Sequence, residues 1–126
     1  MSQPRQFKNL VDLCSKSCER YGGNPLFGTR RSDGSWDYIS YAQLGALVDE
    51  ARGGFRSLGL GDGEVVAVIS NNRVEWAVGA YATYGCGGMY VPMYEKQNLA
   101  DWEYIIGDSG AKLLLVANPD IAARAM

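Results

Sequence analysis

The sequence predicts an α/β fold in which a βαβαβ parallel-sheet segment follows an N-terminal helix and a β-hairpin. Three observations carry that expectation. The run Glu64-Val65-Val66-Ala67-Val68-Ile69-Ser70 is continuously apolar and rich in β-branched residues rather than alternating, the pattern of a strand covered on both faces. Two further apolar runs, Met89-Tyr90-Val91 and Lys112-Leu113-Leu114-Leu115-Val116-Ala117, follow at intervals that each hold one helical pattern. Strands so spaced are joined by crossovers, which favour parallel pairing of right-handed connection.

Each element has its own justification. Over 4–21, Phe7, Leu10, Val11, Cys14, Cys18 and Tyr21 recur at three- and four-residue steps, with Pro4 suited to a first turn and Gly22-Gly23 to a stop. The runs 25–31 and 36–39 flank Ser32-Asp33-Gly34-Ser35 and read as a hairpin. Ser40 and Gln43 have capping-box spacing ahead of a helix over 41–58, whose face is Tyr41, Leu44, Leu47, Val48, Ala51, Phe55 and Leu58. Asn72 and Glu75 repeat that spacing before a helix over 74–84, and Pro92 is expected to stop the strand that begins at Met89, itself expected to be buried. Asn98 with Asp101 opens a fourth helix, which Ser109-Gly110 closes. Beyond the third strand, residues 119–126 read as a helix just starting, so the chain looks cut there.

Composition narrows the function. A chain of 126 residues with 47% hydrophobic and 21% charged residues fits one globular unit with a core of its own. Its net charge of −2 supplies no basic field, and nucleic-acid binding is not expected. The absence of histidine removes the commonest general base and the commonest metal ligand. Cys14, Cys18 and Cys86 form no CxxC pattern, no signal run opens the chain, and no apolar stretch approaches membrane-spanning length, so a cytoplasmic setting is expected.

The motifs that could carry chemistry are sparse. The glycine groups Gly59, Gly61, Gly63 and Gly85, Gly87, Gly88 each precede a strand, where they serve as stops and close-packing positions, whereas a dinucleotide loop follows one. None of Lys8, Lys16, Lys96 and Lys112 follows a glycine, so the ordinary phosphate loop is absent. Cys14 and Cys18 lie one turn apart and read as buried small hydrophobes, and Trp76, Tyr81 and Tyr84 as core packing. The remaining candidate is the crest at the carboxyl ends of the strands: Ser70-Asn71-Asn72, Pro92-Met93-Tyr94-Glu95 and Ala117-Asn118. Its residues also have plain structural readings, with Asn72 as a helix cap and Tyr94 packed on the rim. Glu75 and Glu95 form no evident acid/base pair.

Five stretches in order carry a more specific signal. Ile39-Ser40-Tyr41-Ala42-Gln43-Leu44 resembles the "[LV]TYxEL" segment of AMP-forming acid:CoA ligases. Tyr84-Gly85-Cys86-Gly87-Gly88-Met89-Tyr90-Val91-Pro92-Met93-Tyr94 resembles their "xxAGGxYVPxx" segment. Leu58-Gly59-Leu60-Gly61-Asp62-Gly63-Glu64-Val65-Val66-Ala67-Val68 resembles "LGlkpGDrVai", Asn72-Arg73-Val74-Glu75-Trp76 resembles "N.pEW", and Ile105-Ile106-Gly107-Asp108-Ser109-Gly110-Ala111-Lys112 resembles "il.dsgAk". The form Asn-Arg-x-Glu-Trp and the continuation Val-Pro-Met-Tyr-Glu look most like long-chain fatty acid:CoA ligases. Gly63-Glu64 in place of Asp-Arg and Cys86 in place of alanine are departures at positions that are not catalytic in the family.

The resemblance implies that residues 1–126 are an N-terminal segment of the large domain of an adenylate-forming enzyme, with a helix over 1–23, a hairpin over 24–39 and a helix plus βαβαβ unit over 40–118. It implies a parent that uses ATP, magnesium and coenzyme A to convert a fatty acid to acyl-AMP and then to the thioester, with peripheral membrane association of that parent left open. The family's phosphate loop, metal-serving threonine and glutamate, ribose-binding aspartate and C-terminal lysine have no counterpart in the sequence. Site residues are therefore expected to be none, whether catalytic, cofactor-binding or metal. The chain alone is expected to be inactive, to bind no cofactor tightly and to self-associate. Open alternatives are an aryl:CoA ligase, a luciferase-like enzyme, a peptide-synthetase adenylation domain, or a non-catalytic partner-binding α/β module.

Overall fold

A computed structural model describes residues 6–125. Helix α1 (Leu10–Arg20) leads into strands β1 (Pro25–Arg30) and β2 (Trp36–Ser40), then α2 (Tyr41–Ser57), β3 (Val65–Ile69), α3 (Val74–Gly85), β4 (Met89–Met93), α4 (Leu99–Ser109), β5 (Leu113–Val116) and α5 (Pro119–Ala125). The first two strands pair antiparallel as the expected hairpin, with an irregularity between Pro25 and Phe27. The other three form one parallel sheet in the order β4-β3-β5. The fold class read from the sequence therefore stands.

Period-two alternation divides the core into two layers around β3, whose five residues are all buried. Ala67 and Ile69 point to one face and pack with Met93, Trp102 and Ile121, against which Leu114 and Val116 of β5 also lie. Val66 points to the other face with Leu60 and Cys86, joined by Phe55, Tyr90, Leu113 and Leu115. Helices α4 and α5 thus cover one side of the sheet and α2 and α3 the other, the three-layer solution for a parallel sheet.

Three expectations need correction. The first helix begins at Leu10 rather than near Pro4, which lies outside the described residues; Asn9 caps it by accepting from the Asp12 amide at 2.8 Å, and Asp12 in turn accepts from the Lys8 amide. Asn72 does not cap α3: Arg73 holds the cap position in extended conformation, without a side-chain cap bond. Pro92 does not stop β4, which continues to Met93, nor is β4 buried along its length, since it is an edge strand with Met89 half exposed. Proline is tolerated because the Met89 amide donates to Glu64 O at 2.9 Å, so alternation turns position 92 toward the open edge, where no donor is needed. The other two caps are as read. Ser40 and Gln43 form a reciprocal box on α2, and Asn98 accepts from the Asp101 amide on α4, which ends at a left-handed Gly110.

Candidate functional site

Strand order places the site. The chain passes from β3 outward to β4 and then returns across β3 to β5, so β3 and β5 are the neighbours from whose ends it departs in different directions. At that crest the backbone leaves β3 through Ser70, Asn71 and Asn72. The Ser70 hydroxyl donates to Asn71 O at 2.8 Å. Arg73 gathers the rest: its Nε donates to Asn71 Oδ1 at 2.8 Å and its Nη1 to Ala117 O at 3.3 Å, joining the β3 exit to the β5 exit.

The third crest segment is held from below. Trp102, fully buried on α4, donates its indole N–H to Tyr94 O at 2.9 Å, and the Tyr94 amide donates to Gln97 Oε1 at 3.0 Å. The Tyr94 ring itself is 79% exposed, so it does not pack the rim as expected. Asn118 is occupied structurally, its side chain accepting from the Ile121 amide at 2.9 Å at the start of α5.

Two hollows open at this crest. One, about 560 Å³, is lined by Ser70, Asn71, Asn72, Trp76 and the segment 92–96. The other, about 930 Å³, lies between hairpin residues Phe27, Gly28, Thr29 and Arg30 and the α3 residues from Val74 to Tyr84. Asn71, Asn72 and Trp76 line both, forming a shared wall. Trp76 is fixed there by Tyr90, whose hydroxyl donates to Trp76 O at 3.0 Å and whose ring meets the indole edge-on at 5.3 Å. Burial pushes the Tyr90 phenol up from its ordinary range, so it remains a donor at neutral pH. Tyr84 meets Tyr90 of β4, and Tyr81 meets Tyr84, both edge-on; Trp76, Tyr81 and Tyr84 are half-buried and line the larger hollow, so their expected place in the core is corrected.

The structure thus brings Ser70, Asn71, Asn72 and the 92–95 segment to one hollow, and Ala117 to Arg73. Asn118 stays apart as a cap. Sequence reasoning missed Arg73, whose only signal was its place beside the crest asparagines, and missed the hairpin wall, whose approach to α3 is long-range packing with no local signature. Among the described residues no group of three or more His, Cys, Asp or Glu could hold a metal ion. Charge at the other end of the sheet is structural: Lys112 pairs with Glu64 at 3.1 Å, and this contact, with the Gly61 amide, holds the Glu64 carboxyl below the usual carboxylate range.

The comparisons with known proteins bear on the family and the fold. The AMP-binding enzyme family matches residues 14–125. The human protein "Long-chain-fatty-acid--CoA ligase ACSBG1" is 32% identical over 101 residues, covering 80% of this chain and 14% of that protein. "Fatty acyl-CoA synthetase B" of Dictyostelium discoideum is 30% identical over 101 residues, covering 76% of this chain and 15% of that protein. The chain therefore spans about one-seventh of the length of these relatives. Among solved structures, the inhibitor-bound N-terminal domain of FACL13 from Mycobacterium tuberculosis superposes with a TM-score of 0.82 at 22% identity, over 95% of this chain and 30% of that one. VinN gives 0.84 at 17% identity, over 98% and 30%. The hairpin, the three-stranded parallel sheet and its flanking helices are thus a shared fold, and by the match over residues 14–125 the chain belongs to the AMP-binding enzyme family.

Proposed function

We propose that this chain supplies the N-terminal part of the large domain of an ATP-dependent long-chain fatty acid:CoA ligase, residues 1–126 forming one scaffold segment. The observation that carries the reading is the identity of about one residue in three with fatty acid:CoA ligases across four-fifths of the chain. In the reaction that this implies, a fatty carboxylate attacks the α-phosphate of ATP to give acyl-AMP and pyrophosphate, and the thiol of coenzyme A then displaces AMP. Magnesium would serve the first step in the parent enzyme through residues elsewhere, since the described residues offer it no ligand cluster.

The segment's part is positional. Val65–Ile69 anchors the sheet, while Arg73 and Trp102 fix two crest exits beside which the rest of such a domain assembles. No residue of the chain is assigned a catalytic, cofactor-binding or metal role, and the chain by itself neither forms acyl-AMP nor binds ATP or coenzyme A tightly. The proposed setting is cytoplasmic, with Cys14, Cys18 and Cys86 all free thiols. No helix among the described residues is long and apolar enough to cross a membrane. Incubation of the purified chain with ATP, magnesium and a long-chain fatty acid, followed by pyrophosphate assay, tests the scaffold role. Release no greater than from a heat-denatured sample is expected, and reproducible release above it would place catalytic groups within these residues.

A further inference from the structure

Outside the crest, Cys14 and Cys18 stand on successive turns of α1 with their sulfurs 4.0 Å apart. Both line a small recess of about 210 Å³ between α1, α2 and α3, together with Gly45, Val48, Asp49, Arg52 and Tyr81. Helix packing holds the pair in place: a Cβ at Gly45 would stand only 3.3 Å from the Cys18 Cβ, so α2 approaches α1 as closely as its glycine allows. The pair is half-buried, and the recess gives it a solvent approach.

A direct disulfide does not suit this geometry. Residues four apart on a helix face have Cβ atoms about 5–6 Å apart, whereas a disulfide needs roughly 3.8 Å. A bridging atom does suit it, since two thiolates bound to one tetrahedral ion at about 2.3 Å stand roughly 3.8 Å apart, and a wider bond angle lengthens that separation. Zinc would want two further ligands, and no third His, Cys, Asp or Glu completes a cluster among the described residues. A soft monovalent ion that two thiolates satisfy remains, and thiolate selects copper(I).

We propose that Cys14 and Cys18 form a two-thiolate binding site for a soft monovalent cation of the copper(I) type, independent of the ligase reading. Binding exchanges two S–H bonds for two S–Cu bonds, so that two thiols and Cu⁺ give a bis-thiolate anion and two protons, with no change of oxidation state. Arg52 and Asp49 also line the recess, the guanidinium donating to Gly85 O at 3.1 Å and standing 3.9 Å from the Asp49 carboxylate. Cys86 takes no part. It is buried on the sheet side, with its thiol directed to Arg52 O at 3.6 Å.

The test is an anaerobic titration of the reduced chain against the coloured copper(I)–bicinchoninate complex. Wild type and Cys86→Ser should each withdraw about one copper(I) per chain, while Cys14→Ser and Cys18→Ser should lose about tenfold or more in affinity. Equal withdrawal by all four proteins, or none by wild type, would overturn the proposal. Should a serine variant prove unfolded by circular dichroism, X-ray absorption of the copper-loaded wild type decides: two sulfur neighbours support the site, and nitrogen or oxygen neighbours alone refute it.

Discussion

The adjacent glycines Gly87 and Gly88 are required for two different reasons. Gly87 has φ +77°, a left-handed conformation that costs other residues roughly 1–2 kcal/mol. Gly88 has no room: a Cβ there would stand 2.9 Å from the backbone oxygen of Glu64, the same oxygen that accepts the first parallel-sheet bond from Met89. Gly88→Ala must therefore push β4 off β3 and should destabilise the chain by about 1–3 kcal/mol in urea unfolding, with loss of amide protection at Met89. Trp102 gives a second prediction at this scale. Fully buried, with Arg124 stacked 4.7 Å from its ring, it should cost about 3–5 kcal/mol as Trp102→Ala, and Trp102→Phe should lose less but leave Tyr94 O without its indole donor. The motif in which Gly87-Gly88 sits was legible as a pattern in the sequence, and close packing was read for its glycines. That the close approach is to Glu64 O was not, because the clash involves a backbone atom that sequence spacing does not locate.

Helix ends show what the sequence could convey and what it could not. Ser40 and Asn98 were legible as caps because each competes only with local backbone, and Ser40→Ala should lower stability by about 1 kcal/mol by chemical denaturation. Asn72 had the same local signature and is not a cap. There Arg73 holds the cap position in extended conformation, and its side chain reaches a partner distant in the chain, Ala117 O beyond β5. The same distinction separates the crest from its hollows: the strand ends could be read off apolar runs, whereas the hairpin wall and the role of Arg73 depend on partners distant in the chain. Between β3 and β5, the Glu64–Lys112 pair predicts a pH dependence. Its carboxyl titrates lower in the folded chain than in the unfolded one, so its contribution is present above the ordinary glutamate value of about 4.3 and is lost as pH falls through the folded value. Melting curves of wild type and Glu64→Gln should therefore differ at pH 7 and converge in acid. A difference that widens on acidification would contradict this.

At the scale of the molecule, the sheet has a fully buried centre and two edges that pair with no other strand among the described residues. Large apolar side chains also stand at the surface, notably Leu58 at the end of α2 and Met89 at the start of the edge strand β4. Open edges and exposed apolar residues favour association, and the purified chain is predicted to shift toward dimers or larger species as concentration rises in sedimentation velocity. A monomer throughout would show that these surfaces are adequately solvated. The proposed scaffold role is in keeping with this architecture: a buried strand, two covered faces and polar exits. The most direct measurement of the proposed function replaces the matching 101-residue stretch of the human relative with the corresponding part of this chain and assays long-chain acyl-CoA formation by mass spectrometry. A folded chimera that makes long-chain acyl-CoA from ATP, fatty acid and coenzyme A is the predicted result. A folded chimera that makes none, while the unexchanged relative remains active, would contradict it.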